Sequence, residues 1–345
     1  MDNLPESVQC QNNPLFSVII VNWNGVRHLA QCLESLRRQS LVDFEIVLVD
    51  NGSSDGSVEF VKNNYPEVTL TELQENAGFA GGVNAGIKAS CGDYVVLLNN
   101  DTEVSAAWLE QLSAAVETHP DVFIFASKLV NYFQRMLIDS AGDGMDLCAG
   151  PYKIGELQPS DQFKNYRFIF GACGGGGCYK RELFDRIGFF DEDFFAYFED
   201  SDLSFRANWA GYRCLFVPEA VIYHKVGGTA DANQASRARF DIMRRRNFFF
   251  LIIKNYPASF LLRYFPYFFA VHCLVFLANL LRGHFNVAFM TQFEIAKGLP
   301  AMLRKRKIIL QERVITSKQM LSRCEPKCRG RLWFLRRKCN SVLAH

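Results

Sequence analysis

Short runs of β-branched and aromatic residues recur along the first 130 residues, separated by stretches of helical period. The runs are "FSVIIV" (16–21), "FEIVLV" (44–49), "EVTLTEL" (67–73), "YVVLL" (94–98) and "VFIFAS" (122–127). Largely unbroken apolar character over five or six residues predicts strands covered on both faces. Between the first two runs, Leu29, Cys32, Leu33 and Leu36 share one face of a predicted helix over 26–39. The stretch 106–120 behaves the same way and stops at Pro120. Strands alternating with helices predict an α/β fold: a mainly parallel sheet with helices on both faces. Such sheets bind ligands beyond the carboxyl ends of their strands.

Those ends carry unusual sequences here. They are "NWNG" (22–25), "DNGSSDGS" (50–57), "ENAGFAGGVNAG" (75–86) and "NND" (99–101). Gly, Asn, Ser and Asp are ordinary turn residues, so one such tip says little. Four in succession point small, polar or acidic groups into one crevice. Residues 150–170 read as loop. The run "GACGGGG" (171–177) then requires a backbone close to something else. "SDLSFRANWAG" (201–211) reads as a helix closed by Gly211, and "CLFVPEAVIYH" (214–224) as an extended segment ending on His224.

From about residue 250 the character changes. Residues 1–250 hold 21 Lys/Arg against 33 Asp/Glu, whereas 251–345 hold 17 against 3. An acidic body with a basic, Phe-rich tail predicts that the tail meets an anionic surface. The 18 residues 264–281 are free of formal charge, the lower limit for a membrane span. A single span would carry the basic end away from the cytoplasm, against the positive-inside rule. The better expectation is a segment in the interface or a shallow hairpin, with "RKRK" (304–307) and "RRK" (336–338) on anionic headgroups. Lipid is favoured over nucleic acid, which is not expected as a partner. The polar stretch 1–14 lacks an apolar signal region. The 11 cysteines form no CxxC pair, so neither a zinc site nor a disulfide scaffold is expected.

Candidate chemistry begins with exclusions. GxGxxG does not follow the first strand, and GxxxxGK[ST] is absent. Acids dominate instead: Asp50, Asp101, Glu199, Asp200 and Asp202. Carboxylates facing a nucleotide diphosphate need a cation between them. Mg²⁺ or Mn²⁺ on Asp101 would supply it, with His224 either a second ligand or a structural residue. In "FEDSDL" (198–203), Asp202 would cap a helix or pair with Arg206 at i+4. Crowding there raises the pKa of one carboxylate, which suits a general base.

Together the motifs "SVIIVNWNG", "EIVLVDNGSSDGS", "ENAGFAGGVNAGI", "YVVLLNNDTEV", "GFFDEDFFAYFEDSDLSFRANWAGY", "VIYHKVGG" and "RRRNFFFLIIKN" carry a resemblance. Over residues 15–255 the chain resembles inverting glycosyltransferases of family 2, with the GT-A fold, and the rhamnosyltransferases among them most. The resemblance implies a catalytic domain over 15–255, flanked by an N-terminal tail (1–14) and a helical, membrane-associating tail (256–345). It implies a nucleotide-sugar donor, first dTDP-rhamnose, with UDP-galactofuranose or a UDP-hexosamine behind it. The acceptor would be a lipid-linked or polysaccharide hydroxyl at the cytoplasmic face of the inner membrane, with the protein peripheral or shallowly inserted. Asp200 would be the base. Val21, Asn22 and Asp50 would hold the nucleotide, and Asn76, Gly78, Phe79 and Gly82 would shape the donor pocket. Asn99, Asn100 and Asp101 stand at the metal motif, with Asn99 where the family has an acid. Asp101 and His224 would hold Mg²⁺ or Mn²⁺, and the stretch Arg244–Asn247, Arg246 first among it, would lie near the leaving diphosphate. Gly174, Gly175 and Glu199 would border the acceptor. A nucleotidyltransferase is the competing class, but "NWNG" lacks its glycine-rich basic loop.

Overall fold

The computed structural model describes residues 13–148, 150–225 and 234–324. The tail through residue 12, the glycines that follow His224 and the basic run 336–338 lie outside the described residues. The first elements are β1 (Phe16–Asn22), α1 (Val26–Arg37), β2 (Phe44–Asp50), α2 (Ser57–Asn64), β3 (Thr69–Glu72), α3 (Gly78–Ala89) and β4 (Tyr94–Asn99). Next come β5 (Thr102–Val104), α4 (Trp108–Thr118), β6 (Ile124–Asn131), β7 (Ile138–Ser140), β8 (Asp143–Asp146) and β9 (Gly150–Lys153). After them stand β10 (Arg167–Ile169), β11 (Gly177–Lys180), α5 (Glu182–Ile187), α6 (Glu199–Trp209) and β12 (Cys214–His224). Four helices follow: α7 (Gln234–Asn255), α8 (Ala258–Leu281), α9 (Phe285–Gln311) and α10 (Ser317–Arg323).

A ten-stranded sheet runs β10-β12-β6-β11-β4-β1-β2-β3, with β5 on β12 and β7 on β6. The β1–β2, β1–β4, β2–β3 and β6–β12 pairs are parallel, whereas β11 lies antiparallel between β4 and β6. Being antiparallel to both, β11 leaves β4 and β6 pointing the same way. The carboxyl ends of β1, β2, β4, β6 and β12 therefore share one edge, as the α/β reading predicts. Side chains alternate between two cores. Val18 and Ile20 pack with Leu33, Val61 and Trp108, while Ile19 packs with Val83, Leu183 and Leu203.

Two segments depart from the sequence reading. The glycine-rich stretch after β3 is a helix, α3, where glycines usually cost stability. They let the helix lie against the sheet. A Cβ on Gly82 would stand 2.6 Å from Val21 Cγ1, and one on Gly86 would stand 2.4 Å from Ile19 Cγ2. Residues 150–170 are only partly loop, since β9 pairs with β8 and β10 with β12. Among the described residues seven cysteines are free thiols, but Cys91 is disulfide-bonded.

The C-terminal helices stand on α6 through one apolar cluster. Phe194, Phe205 and Trp209 join Phe250, Tyr256, Phe268, Met302 and Met320 in it. The expected boundary after residue 255 falls between α7 and α8, and this cluster runs across it. Helix α8 is the one helix among the described residues long and apolar enough to cross a membrane. It leaves Leu262, Phe269, Leu274 and Leu281 exposed, and α9 adds Phe285, Phe289 and Phe293.

Charge pins the same junction. Asp202, fully buried, accepts from Arg206 Nε at 2.9 Å, Lys254 Nζ at 2.8 Å and Asn255 Nδ2 at 2.9 Å. The i+4 pairing of Asp202 with Arg206 is thus realised. Lys254 also pairs with Asp191, which Lys305 reaches from α9. Burial alone would raise the Asp191 pKa, but the ammonium groups of Lys254 and Lys305 outweigh it and hold the carboxyl at about 2. Its folded value lies below the ordinary 3.8. The pairing therefore stabilises fully above the ordinary value, and that stability is lost as pH falls from about 4 to about 2. Lys254→Met, which takes one cation from each of two buried carboxylates, is expected to cost about 3 kcal/mol at neutral pH in urea unfolding.

Candidate active site

The sheet register brings the metal-motif acid and the strand-tip histidine together. Strand β5 follows Asp101 directly and pairs with β12, setting Thr102 opposite His224, and Lys225 N–H donates to Asp101 O at 3.0 Å. His224 Nε2 consequently lies 3.4 Å from Asp101 Oδ1. On its other side, Nδ1 lies 2.8 Å from Asp139 Oδ2. Asp139 is buried and held by Lys153 Nζ at 2.7 and 2.9 Å. A row of alternating charge results: Lys153, Asp139, His224, Asp101. Burial would lower the His224 pKa, but the two carboxylates overcome it and raise it to about 9.

These groups face a cavity of about 650 Å³. Val21, Asn76, Gly78, Phe79, Asn99, Asn100, Asp101, Gly174, Gly175, Glu199, Asp200 and His224 all line it, so the structure gathers most residues singled out from the sequence. Three others lie behind the wall. Asn22 and Asp50 are buried, with Asn22 Nδ2 donating to Asp50 Oδ1 at 3.2 Å and Ser53 N–H to Asp50 Oδ2 at 2.9 Å. Asn100 Nδ2 joins them by donating to Asn22 Oδ1 at 2.8 Å. The web knits the tips of β1, β2 and β4. Gly82 lies against Val21, as packing of α3 requires.

Asp200 enters at the first turn of α6. Its Oδ2 accepts from Gly174 N–H at 3.0 Å and its Oδ1 from Ser201 N–H at 2.7 Å. The glycine run makes this approach possible. A Cβ on Gly174 would stand 2.9 Å from Phe79 Cε1, and one on Gly175 would stand 2.7 Å from Asn99 Nδ2. Burial raises the Asp200 pKa, opposed by these backbone hydrogen bonds. Glu199 is more extreme. It is 5 % exposed, its Oε2 has no partner, and burial followed by Asp200 pushes its pKa far upward. Cys173 also lines the cavity as a free thiol, and burial raises its pKa, so no activated nucleophile stands there.

The strap before α6 is strained. Phe195, Tyr197 and Phe198 have φ of 62°, 70° and 71°, a region costly for bulky side chains. Fully buried Asn247 holds it, donating from Nδ2 to Phe194 O at 2.7 Å, Ala196 O at 2.8 Å and Tyr197 O at 2.9 Å. Phe195 O meanwhile accepts from Ala80 N–H at 3.1 Å, and a Cβ on Gly78 would stand 2.4 Å from that oxygen. Arg246 belongs to this clamp and not to the cavity wall. It donates to Asp193 O at 3.0 Å and pairs with Glu294 at 3.6 Å. Arg244, one turn phase away on α7, lines the cavity instead, 5.6 Å from the Tyr197 ring.

Asp139, Asp143 and Lys153 went unassigned in the sequence reading, and Asn247 was not singled out within the stretch 244–247 that the resemblance sets near the leaving diphosphate. The first three sit in a stretch of short strands without readable period. Asn247 had one signal, its place after three arginines.

A model of glycosyl transferase family 2 matches residues 17–188. The chain is a family 2 glycosyltransferase. Among its relatives, the uncharacterized glycosyltransferase YwdF of Bacillus subtilis is 28% identical over 64% of this chain and 77% of its own length. An N-acetylglucosaminyl-diphospho-decaprenol L-rhamnosyltransferase of Mycobacterium tuberculosis is 27% identical over 61% of this chain and 76% of its own. The crystal structure of S. aureus TarS superposes with a TM-score of 0.49 at 20% identity, covering 70% of this chain and 40% of that one.

In this glycosyltransferase the donor set suits a divalent cation. Asp101 offers carboxylate oxygen, His224 offers imidazole nitrogen, and Asp139 fixes the ring from behind. Among the described residues no group of three His, Cys, Asp or Glu side chains forms a closed cage. An open two-residue face leaves positions for phosphate oxygens. Asn247→Ala, which frees three carbonyls of a strained strap, is expected to lower unfolding stability by about 3 kcal/mol. Denaturant titration checks it, and the affinity for a nucleotide diphosphate should stay within about twofold.

Proposed function

We propose that this glycosyltransferase moves a sugar from a nucleotide diphosphate to an acceptor hydroxyl by a single displacement with inversion. The observation that supports it is one cavity faced by a partly desolvated carboxylate, Asp200, and by the Asp101–His224 pair. Asp200 takes the proton of the acceptor hydroxyl. The oxygen attacks the anomeric carbon on the face opposite the nucleotide, and the bond to the diphosphate oxygen breaks with its electron pair leaving on the diphosphate. Asp101 and His224 would hold Mg²⁺ or Mn²⁺, which when bound neutralises charge on the diphosphate. Asp139 and Lys153 keep the His224 ring turned toward it. Arg244 is the arginine placed to meet an anion at the rim, in place of Arg246. Asn22 and Asp50 hold the nucleotide-side loops in shape from behind.

The likeness to a rhamnosyltransferase supports dTDP-rhamnose as first donor, and that relative's diphospho-decaprenol name supports a lipid-linked acceptor. The exposed apolar surface of α8 and α9, continued by basic residues 304–307, supports attachment to an anionic bilayer, which we place at the cytoplasmic face.

Release of nucleotide diphosphate from a panel of dTDP-rhamnose, UDP-galactofuranose and UDP-hexosamines tests the reading. Release from one of them, with nothing from the others, is expected; release of pyrophosphate instead would make the protein a nucleotidyltransferase. Asp200→Asn should lower turnover about 10³-fold and leave donor binding within about twofold by calorimetry. Asp101→Asn or a chelator should abolish turnover and weaken Mn²⁺ binding at least about tenfold by electron paramagnetic resonance, while Asn99→Asp should retain activity and tighten it.

A further inference from the structure

Asp143 opens β8 on the two-stranded flap with β9, along one side of the cavity. Its backbone is fixed to the start of the glycine run. Asp143 N–H donates to Gly171 O at 2.9 Å, and Gly171 N–H donates to Asp143 O at 3.1 Å. The side chain is 9 % exposed and lines the cavity. Among the described residues nothing hydrogen-bonds or ion-pairs with its carboxyl group. The nearest cation, Lys153, commits its ammonium to both oxygens of Asp139. Burial pushes the Asp143 pKa far upward, and Asp200 adds to the effect.

Apart from Glu199, whose Oε2 also lacks a partner beside Asp200, three other buried acids among the described residues are held by the fold. Asp50 has Asn22 and Ser53, Asp139 has His224 and Lys153, and Asp202 has Arg206, Lys254 and Asn255. Each serves structure and is satisfied by structure. Asp143 serves no such contact, and a buried carboxyl without a partner is destabilising unless a ligand supplies one. Its location says which part of a ligand. Asp143 shares the cavity wall with Asp200 and Lys153, and the charges that act on it are those of Asp200, Lys153 and Asp139. In the glycosyltransferase reading, Asp200 marks where the acceptor hydroxyl arrives, and Asp139 backs the histidine that faces the diphosphate. On that reading the sugar in transit occupies the same cavity, whose wall Asp143 shares with Asp200 and His224.

We propose that Asp143 hydrogen-bonds a ring hydroxyl of the transferred sugar and is a specificity-determining residue for the donor. This deepens the proposed function and rests on it. A sugar hydroxyl both donates and accepts, so it meets the carboxyl in either protonation state. Sites built around such a contact reject analogues that lack the hydroxyl far more strongly than apolar pockets reject a missing methylene.

The test compares two ligands on the full chain by calorimetry: the nucleotide sugar that turns over in the panel, and its nucleotide diphosphate alone. Asp143→Ala is expected to weaken the nucleotide sugar about tenfold or more. The nucleotide diphosphate should stay within about twofold of wild type. Asp143→Asn, which keeps a hydrogen-bonding group, should fall between wild type and Ala. The unliganded melting temperature of Asp143→Ala should be unchanged or higher, because a buried unpartnered acid has been removed. Equal losses for both ligands, no loss for the nucleotide sugar, or a marked drop in melting temperature would each overturn the inference and leave the glycosyltransferase reading standing. Failure of the wild-type protein to bind any nucleotide sugar more tightly than inorganic pyrophosphate would overturn both.

Discussion

Lys254 carries more of this architecture than any catalytic candidate does. Its ammonium lies between Asp191 and Asp202, two carboxylates with little access to solvent. It is the one cation that the two acids share, for Asp202 is otherwise met by Arg206 and Asp191 by Lys305. Asp202 sits two residues after Asp200 on the first turn of α6, so what fixes Asp202 fixes the base candidate. Asp191 sits before the strap that leads into that turn. One cation from α7 therefore sets the approach angle of α6 to the crevice.

The crevice has two halves of different construction. The Asp101–His224 half is made by strand pairing: β5 and β12 leave those side chains adjacent once the ladder forms. The Glu199–Asp200 half is made by strain and compensation. Three bulky residues take left-handed backbone angles, and Asn247 with the α3 glycines holds them there. Hydrogen bonds to the carbonyls of Phe194, Ala196 and Tyr197 make Asn247 a clamp more than a ligand. The glycine run at 174–175 belongs to both halves, since it touches Asn99 and reaches Asp200.

Much of this was legible in the chain. Asp101 and His224 each end an apolar run, and Asp200 stands in an acid cluster that a helix cap alone does not need. Those signals are local, and local signals survive folding. Others were not legible for physical reasons. Asp139, Asp143 and Lys153 lie on strands of three or four residues, too short to show alternation. Three consecutive arginines are equivalent until the phase of α7 is known, and the pairing of Arg246 with Glu294 on α9 sets that phase. Asn22 and Asp50 look like donor residues by position, and the fold buries both at the tips of β1 and β2, where Ser53 meets them. The glycines of α3 resemble a phosphate turn in composition, whereas contact with Val21 and Ile19 is what they permit.

The apolar hairpin of α8 and α9 shares its core with α6 and sends Lys305 to Asp191. It has no such connection to the tips of β1, β2 and β4. The two halves of the crevice therefore differ in compliance toward anything that docks on the hairpin. A load applied there travels through α9, Asp191 and the strap to the acid pair within a few rigid contacts. The Asp101–His224 pair is braced by the sheet instead. Under the proposed function, the apolar hairpin is thus tied to the half that would receive a hydroxyl and not to the half that would hold a diphosphate.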